Sequence, residues 1–280
     1  MKLGQIKWNN AVTAAIFEGA TARPIPDYTV YDLICRSDKE GVTLSALAAR
    51  LAAPGHVPAL PLIPLQPKEV WACGCTYETS AAFRDAEHGT REGFYAHVYS
   101  GERPEVFFKG TARICSGPGQ TIGIRSDSKF TAPEPELALV LGAKGKIVGY
   151  TLANDVSAWD IERDNPLYLP QSKMYACACA LGPQIVTTDE LKEPYNLQMS
   201  CTIQRGDKVL FSGEASTAKL HRKFDQLVEF LIRSNPVPAG SVLLTGTGII
   251  VTEESALAPG DVVSIKVPEI GELVSTAVLV

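Results

Sequence analysis

Glu134-Pro135-Glu136 sets two carboxylates at i and i+2, directly ahead of the apolar run Leu137-Ala138-Leu139-Val140-Leu141. Side chains alternate along an extended strand, so both glutamates share one face while Pro135 points to the other. Asp155 closes the following apolar run, Ile147–Asn154. Between the two runs lies Gly142-Ala143-Lys144-Gly145-Lys146, a hairpin-type loop. It predicts an antiparallel pair that brings Asp155 beside the glutamates. Three carboxylates at one point repel and raise one another's pKa unless a cation lies between them. Oxygen donors without His or Cys select a hard ion, Mg2+ first, with Mn2+ or Ca2+ as alternatives. Acids at strand ends are also commonly no more than solvated caps. The coincidence of Glu-x-Glu with a placed Asp is what favours the cage.

Lys173 follows Asn165-Pro166-Leu167-Tyr168-Leu169-Pro170-Gln171-Ser172, a loop that a solvated lysine does not need. Beside a metal its amine is expected to move toward neutral and to serve as a base or hydrogen-bond donor. Glu105 opens the aromatic run Val106-Phe107-Phe108, where desolvation is expected to raise its pKa and suit it to proton transfer. Thr245-Gly246-Thr247-Gly248 offers two hydroxyls and backbone N–H groups for an anion such as a carboxylate. It is not a dinucleotide fingerprint, which needs Gly-x-Gly-x-x-Gly opening a helix. Cys73-Gly74-Cys75 and Cys177-Ala178-Cys179 have apolar surroundings that favour core packing over zinc. His56, His88, His97 and His221 show no ligand spacing. Ser126, Ser128 and Ser241 lack a nucleophile elbow, which argues against a serine hydrolase.

The elements that must position these residues read mostly as strands. Apolar or alternating runs predict strands over Lys2–Trp8, Ala11–Phe17, Val70–Gly74, Glu105–Phe108, Ile122–Arg125, Glu136–Leu141 and Ile147–Val156. Further strands are expected over Leu197–Gln204, Lys208–Ser212, Val242–Leu244, Asp261–Val267 and Leu273–Leu279. Thr43–Ala53 has helical spacing, and Asp225 is expected to cap a helix over Gln226–Ile232. Pro58, Pro61, Pro64 and Pro67 mark an extended link. Residues 1–65 therefore read as a small N-terminal α/β domain and residues 66–280 as the part carrying the chemistry. Strands outnumber helices and do not alternate with them, which excludes a doubly wound sheet. The expected fold is α+β, mostly β, a mixed β-sandwich or rolled sheet.

The 280 residues are 45% hydrophobic and 20% charged, enough for a sizeable core and too ordinary for a disordered or fibrous chain. A net charge of −5 without a basic cluster excludes a nucleic-acid partner. Apolar stretches such as Ser241–Val251 fall short of the ~20 residues a membrane span requires. The opening residues, Met1 to Trp8, lack a signal-peptide apolar region. Seven cysteines, an odd number, fit reduced thiols in the cytoplasm.

Pro133-Glu134-Pro135-Glu136-Leu137-Ala138-Leu139-Val140, Gly149-Tyr150-Thr151-Leu152-Ala153-Asn154-Asp155-Val156-Ser157 and Thr245-Gly246-Thr247, in that order, resemble the fumarylacetoacetate hydrolase superfamily. The resemblance runs from about Val70 to the C-terminus. It implies a mixed β-roll catalytic domain and a divalent metal held by Glu134, Glu136 and Asp155. It also implies a homodimer or higher homo-oligomer, and small 2-oxo acid or β-diketo acid substrates. Members that hydrolyse C–C bonds carry a water-activating His after a Gly-x-x-Tyr segment, where this chain has Ser80.

The stretches Asp160–Lys173 and Glu102–Lys109 look more like the 2-keto-3-deoxy-D-arabinonate dehydratase-like branch, in which Glu105 and Lys173 fall on proton-transfer positions. The resemblance thus implies a Mg2+-dependent lyase acting on a 2-keto-3-deoxy sugar acid through a metal-stabilised enolate. Lys173 is expected to take the C3 proton and Glu105 to assist departure of the C4 hydroxyl. Thr245 is expected to hold the substrate carboxylate, and Lys109 or Arg84 the distal hydroxyls. The alternatives are a C–C hydrolase or decarboxylase on an acylpyruvate or related 2-oxo acid, and a non-catalytic sugar-acid binding protein.

Overall fold

Pro135–Leu141 is buried at every position and sits between Ile147–Asp155 and Ser241–Leu244 in the middle of a large sheet. Its alternate side chains serve two cores. Leu137, Leu139 and Leu141 join one apolar cluster, while Ala138 and Val140 join another on the opposite face. A strand covered on both faces reads as a near-continuous apolar run, and this one does from Leu137 to Leu141, with Glu136 the one charged position. The computed structural model describes residues 1–87 and 93–280.

Among the described residues the large sheet has eleven strands. Its order is Val57–Pro58, Thr21–Ile25, Ala11–Glu18, Lys2–Trp8, Cys179–Thr187, Ile147–Asp155, Pro135–Leu141, Ser241–Leu244, Val70–Gly74 and Glu105–Gly110. Cys115–Ser116 adds to Cys179–Thr187 in parallel. A second sheet orders Lys208–Ser216, Gln198–Arg205, Val262–Val267, Gly271–Leu279 and Thr121–Ile124. The first apolar cluster, with Leu139, Ile203, Ile265 and Leu273, fills the space between the sheets. Strands outweigh helices in this α+β fold, as expected.

Residues 1–65 are not set apart by a break in the sheet. Lys2–Trp8 pairs antiparallel with Cys179–Thr187, with Leu3 opposite Ile185. The helices Val30–Glu40 and Leu44–Leu51 bury Leu33, Ile34 and Leu47 in the same cluster as Ala138 and Val140. The leading segment thus both extends the sheet and covers one of its faces.

Several elements depart from the sequence expectation. Val30–Glu40 is a helix that the pattern did not announce, yet it has a full capping box between Thr29 and Asp32 and ends on Gly41 at φ 67°. The strand Cys179–Thr187 runs through Gly182-Pro183, a pair that reads as a turn in isolation. Asp225 does not cap its helix: the element is Phe224–Ile232, Lys223 occupies the cap position, and Asp225 lies in the first turn. Glu78–Glu87 and Phe94–Ser100 are further unannounced helices, and the first of them delivers Arg84.

Leu139 is fully buried at the centre of this arrangement. Leu139→Ala should cost about 2–5 kcal/mol, read from the denaturant unfolding midpoint, because neighbouring strands on both sides prevent collapse into the void. A loss well under that range would mean that the core is not closed here.

Candidate active site

Strand parity and hairpin register decide where the acids go. Glu136 lies opposite Ala153 and Pro135 opposite Asn154, so the next pair outward is Glu134 with Asp155. The Asp155 N–H donates to the Glu134 carbonyl at 2.9 Å and closes the hairpin end. All three acids share the face of Ala138 and Ala153, and carboxylate oxygens from the three lie within 4.8 Å of one another. The expected convergence is therefore present, and all three side chains are buried.

The Thr245-Gly246-Thr247-Gly248 turn supports this cluster from the neighbouring strand. The Gly246 N–H donates to Glu136 Oε2 at 2.5 Å. Gly246 has φ +91°, and a Cβ there would collide with the Thr76 hydroxyl, so only glycine fits. Thr245 was expected to hold a substrate carboxylate, but its hydroxyl is sealed in and donates to the Leu137 carbonyl at 2.8 Å. Thr247, not Thr245, lines the cleft over Glu134.

Three cations answer the acids. Lys173 Nζ donates to Glu134 Oε2 at 2.9 Å and to Ser157 Oγ at 2.5 Å. It also lies 3.6 Å from both Asp155 and Glu162. Lys109 Nζ sits 2.6 Å from Asp155 Oδ1 and donates to the Val156 carbonyl. Arg84 spans Glu162 at 3.3 Å and Glu105 at 3.5 Å.

Two expectations change here. Lys109 is 0% exposed with its amine committed to Asp155, so it cannot reach the distal hydroxyls of a substrate. Lys173 is not driven toward neutral by its protein surroundings. Burial pulls its amine down, but Asp155, Glu134 and Glu162 more than offset that and hold it well above the ordinary lysine value. Glu105 is only partly desolvated, with 23% of its side chain exposed beside Arg84.

Burial drives the Glu136 carboxyl well above the ordinary glutamate value, with Asp155 and Glu134 adding to the effect. Glu134 is raised too, mainly by burial, with Lys173 pulling the other way. Fully ionised, Glu105, Glu134, Glu136, Asp155 and Glu162 would carry five negative charges against three positive ones on Lys109, Lys173 and Arg84. The imbalance equals one divalent cation, and an all-carboxylate donor set suits a hard one. Glu134, Glu136 and Asp155 fit that ion.

Sequence reasoning missed Glu162, which ties Arg84 to Lys173 and accepts from Ser172. Its signal was available: Trp159 and Glu162 stand three apart on the helix Trp159–Asp164, and both are buried. The cleft over Glu134 is lined by Ser80, Phe83, Arg84, Trp159 and Thr247 and holds about 10 Å3. Beyond Arg84, a cavity of about 580 Å3 is bordered by Tyr95, Val98, Pro104, Glu105, Glu162 and Leu169. Among the described histidines none is a member of the carboxylate cluster: His56 pairs with Glu18, His221 stacks on Tyr99, and His97 lines the large cavity. His88 lies outside the described residues.

A buried carboxylate cage that fits one divalent cation, flanked by a lysine and a glutamate at the end of a mixed sheet, defines a metal-dependent enzyme. The chain belongs to the fumarylacetoacetate hydrolase family, whose C-terminal family model matches residues 81–278. It is 46% identical over 215 residues to 2-dehydro-3-deoxy-D-arabinonate dehydratase of Saccharolobus solfataricus, covering 76% of this chain and 72% of that one. It is 43% identical over 211 residues to a probable 2-keto-3-deoxyxylonate dehydratase of Haloferax volcanii, covering 75% and 72%. The solved structure of a 2-keto-3-deoxy-D-arabinonate dehydratase complexed with magnesium and 2,5-dioxopentanoate superposes with TM-score 0.84 at 37% identity, over 100% of this chain and 99% of that one.

The raised carboxyls make stability depend on pH in opposite senses with and without a cation. Metal-free, Glu134 and Glu136 bind protons more readily folded than unfolded. Their contribution is then fully present below the unfolded glutamate pKa and lost as pH rises through the folded values. The metal-free unfolding temperature should therefore rise as pH falls from about 8 toward about 5, the unfolded carboxyls remaining ionised until about 4.3. With saturating divalent cation the trend should reverse, since protons compete for the same oxygens. Parallel trends with and without the ion would contradict the cage.

Proposed function

We propose that this protein is a Mg2+-dependent hydro-lyase that removes water from a 2-keto-3-deoxy sugar acid. The observation that carries the reading is the linked set Glu134–Lys173–Glu162–Arg84–Glu105, which joins the carboxylate cluster to Lys173 and Glu105. The dehydratases above, one of them complexed with magnesium, support it.

Glu134, Glu136 and Asp155 would hold the ion. Bound there, Mg2+ would supply positive charge that favours a carboxylate and a 2-oxo oxygen, acidifies the C3 protons and lowers the proton affinity of the Lys173 amine. Lys173 takes the C3 proton, its amine aimed by Ser157 and Glu162. The freed electron pair expels the C4 hydroxyl, which Glu105 protonates so that it leaves as water. Thr247 lines the cleft with its hydroxyl bonded to the Ile249 backbone, and Arg84 is left as the side chain for the distal hydroxyls.

Ser80 lines the cleft where hydrolytic relatives need a water-activating histidine, so hydrolysis ranks below dehydration. The product separates the readings, because a dehydratase yields one acid lighter by one water, whereas a decarboxylase releases CO2 and a hydrolase two acids.

The same reading places the protein in the cytoplasm as a homodimer or higher homo-oligomer. All seven cysteines are free, as a reducing compartment requires, and exposed Leu167 and Tyr168 beside the site suit self-association. Among the described residues no helix is long and apolar enough to cross a membrane. Residues 66–280 supply the chemistry, and residues 1–65 serve as cover and sheet extension.

Purified protein incubated with Mg2+ and a 2-keto-3-deoxy pentonic acid should give the dehydrated 2-oxo acid with all carbons retained. Glu105→Gln should keep cation affinity while turnover falls ~10²–10⁴-fold. Unchanged turnover in that variant would remove Glu105 from the chemistry.

A further inference from the structure

Cys115 and Cys179 are the directly paired residues of two parallel strands, Cys115–Ser116 and Cys179–Thr187. Directly paired residues on neighbouring strands point to the same face, and the strands lie about 4.8 Å apart. That spacing falls inside the range of about 4.4–6.8 Å between the Cα atoms of bonded cysteines. The Cys115 thiol lies beside the Cys179 thiol. The two differ in access: Cys115 is half-buried and also reaches the Thr111 carbonyl at 3.5 Å, whereas Cys179 is 0% exposed. The other cysteines are placed differently. Cys73, Cys75 and Cys201 are buried in apolar clusters, Cys177 approaches Thr121, and Cys35 adjoins Tyr31.

We propose that Cys115 and Cys179 form a redox-active dithiol, oxidised by a hydroperoxide to a reversible cross-strand disulfide. Cys115, the less buried of the two residues, attacks the peroxide: an S–O bond forms, the O–O bond breaks, and the departing oxygen leaves as water. The Cys179 sulfur then attacks the oxidised Cys115 sulfur. An S–S bond forms, the S–O bond breaks, and a second water leaves. Two thiols and one hydrogen peroxide thus become one disulfide and two waters, and a dithiol reductant returns both protons and both electrons. Cys179 also stands opposite Asp155 in the next strand pairing, so the dithiol abuts the carboxylate cage while forming no part of it.

The test uses the reduced, folded protein treated with equimolar hydrogen peroxide and then alkylated. Two of its seven thiols should be lost, the intact mass should fall by two hydrogens, and a non-reducing peptide map should join Cys115 to Cys179. Dithiothreitol should restore both thiols, and Cys115→Ser should abolish the linked peptide. The wild-type map decides the matter even where Cys179→Ala fails to fold. A different cysteine pair, a sulfinic acid on Cys115 with Cys179 still alkylated, or no thiol loss would each overturn the proposal.

Discussion

Five carboxylates and three cationic side chains occupy a small, mostly dry volume at the end of the Pro135–Leu141 hairpin. Charges taken out of water are tolerated only when they are paired, and this set, fully ionised, is two positive charges short. Much of the local architecture follows from that constraint. The hairpin register fixes Glu134 against Asp155, a glycine at +91° lets a backbone N–H reach Glu136, and two lysines are driven fully inside the protein to face the acids. Stability alone does not call for such an arrangement, since replacing buried ion pairs by apolar packing of the same volume is often neutral or stabilising. Its retention makes sense as a site that a divalent cation completes.

The surrounding fold is what makes the cluster rigid. The strand carrying the glutamates is covered on one face by the second sheet and on the other by the two helices of the leading segment, so neither face can open to water independently. Residues 1–65 therefore contribute to the site without supplying a member of it. Arg84, fixed by Glu162 and Glu105, stands between the tight cleft over the cage and a larger cavity.

The cage was legible in the sequence because strand periodicity and hairpin pairing are local rules. Glu134, Glu136 and Asp155 need only a period of two and one Gly-rich loop to meet. What escaped depended on long-range packing. Lys109 follows an aromatic run and looks like a surface lysine, and only the pairing of its strand with Val70–Gly74 carries it inward to Asp155. Thr245 reads as an anion binder until its hydroxyl is seen closing the backbone of Leu137. The strand Cys179–Thr187 was hidden by Gly182-Pro183, and the helix Val30–Glu40 by its many charged positions. Glu162 was overlooked because one acid on a short helix carries no signal until its buried neighbour Trp159 is weighed with it. Electrostatics also reversed one inference, since Lys173 meets three carboxylates that outweigh its burial.

The central claim is that three acidic side chains from one hairpin enclose a single hard divalent ion. Crystals soaked in Mn2+ and measured near the manganese edge test it without reference to turnover. The account predicts one anomalous peak per chain, coordinated by Glu134, Glu136 and Asp155, with Lys173 displaced from Glu134. No peak there, or an ion bound elsewhere while Lys173 keeps its contact with Glu134, would contradict it.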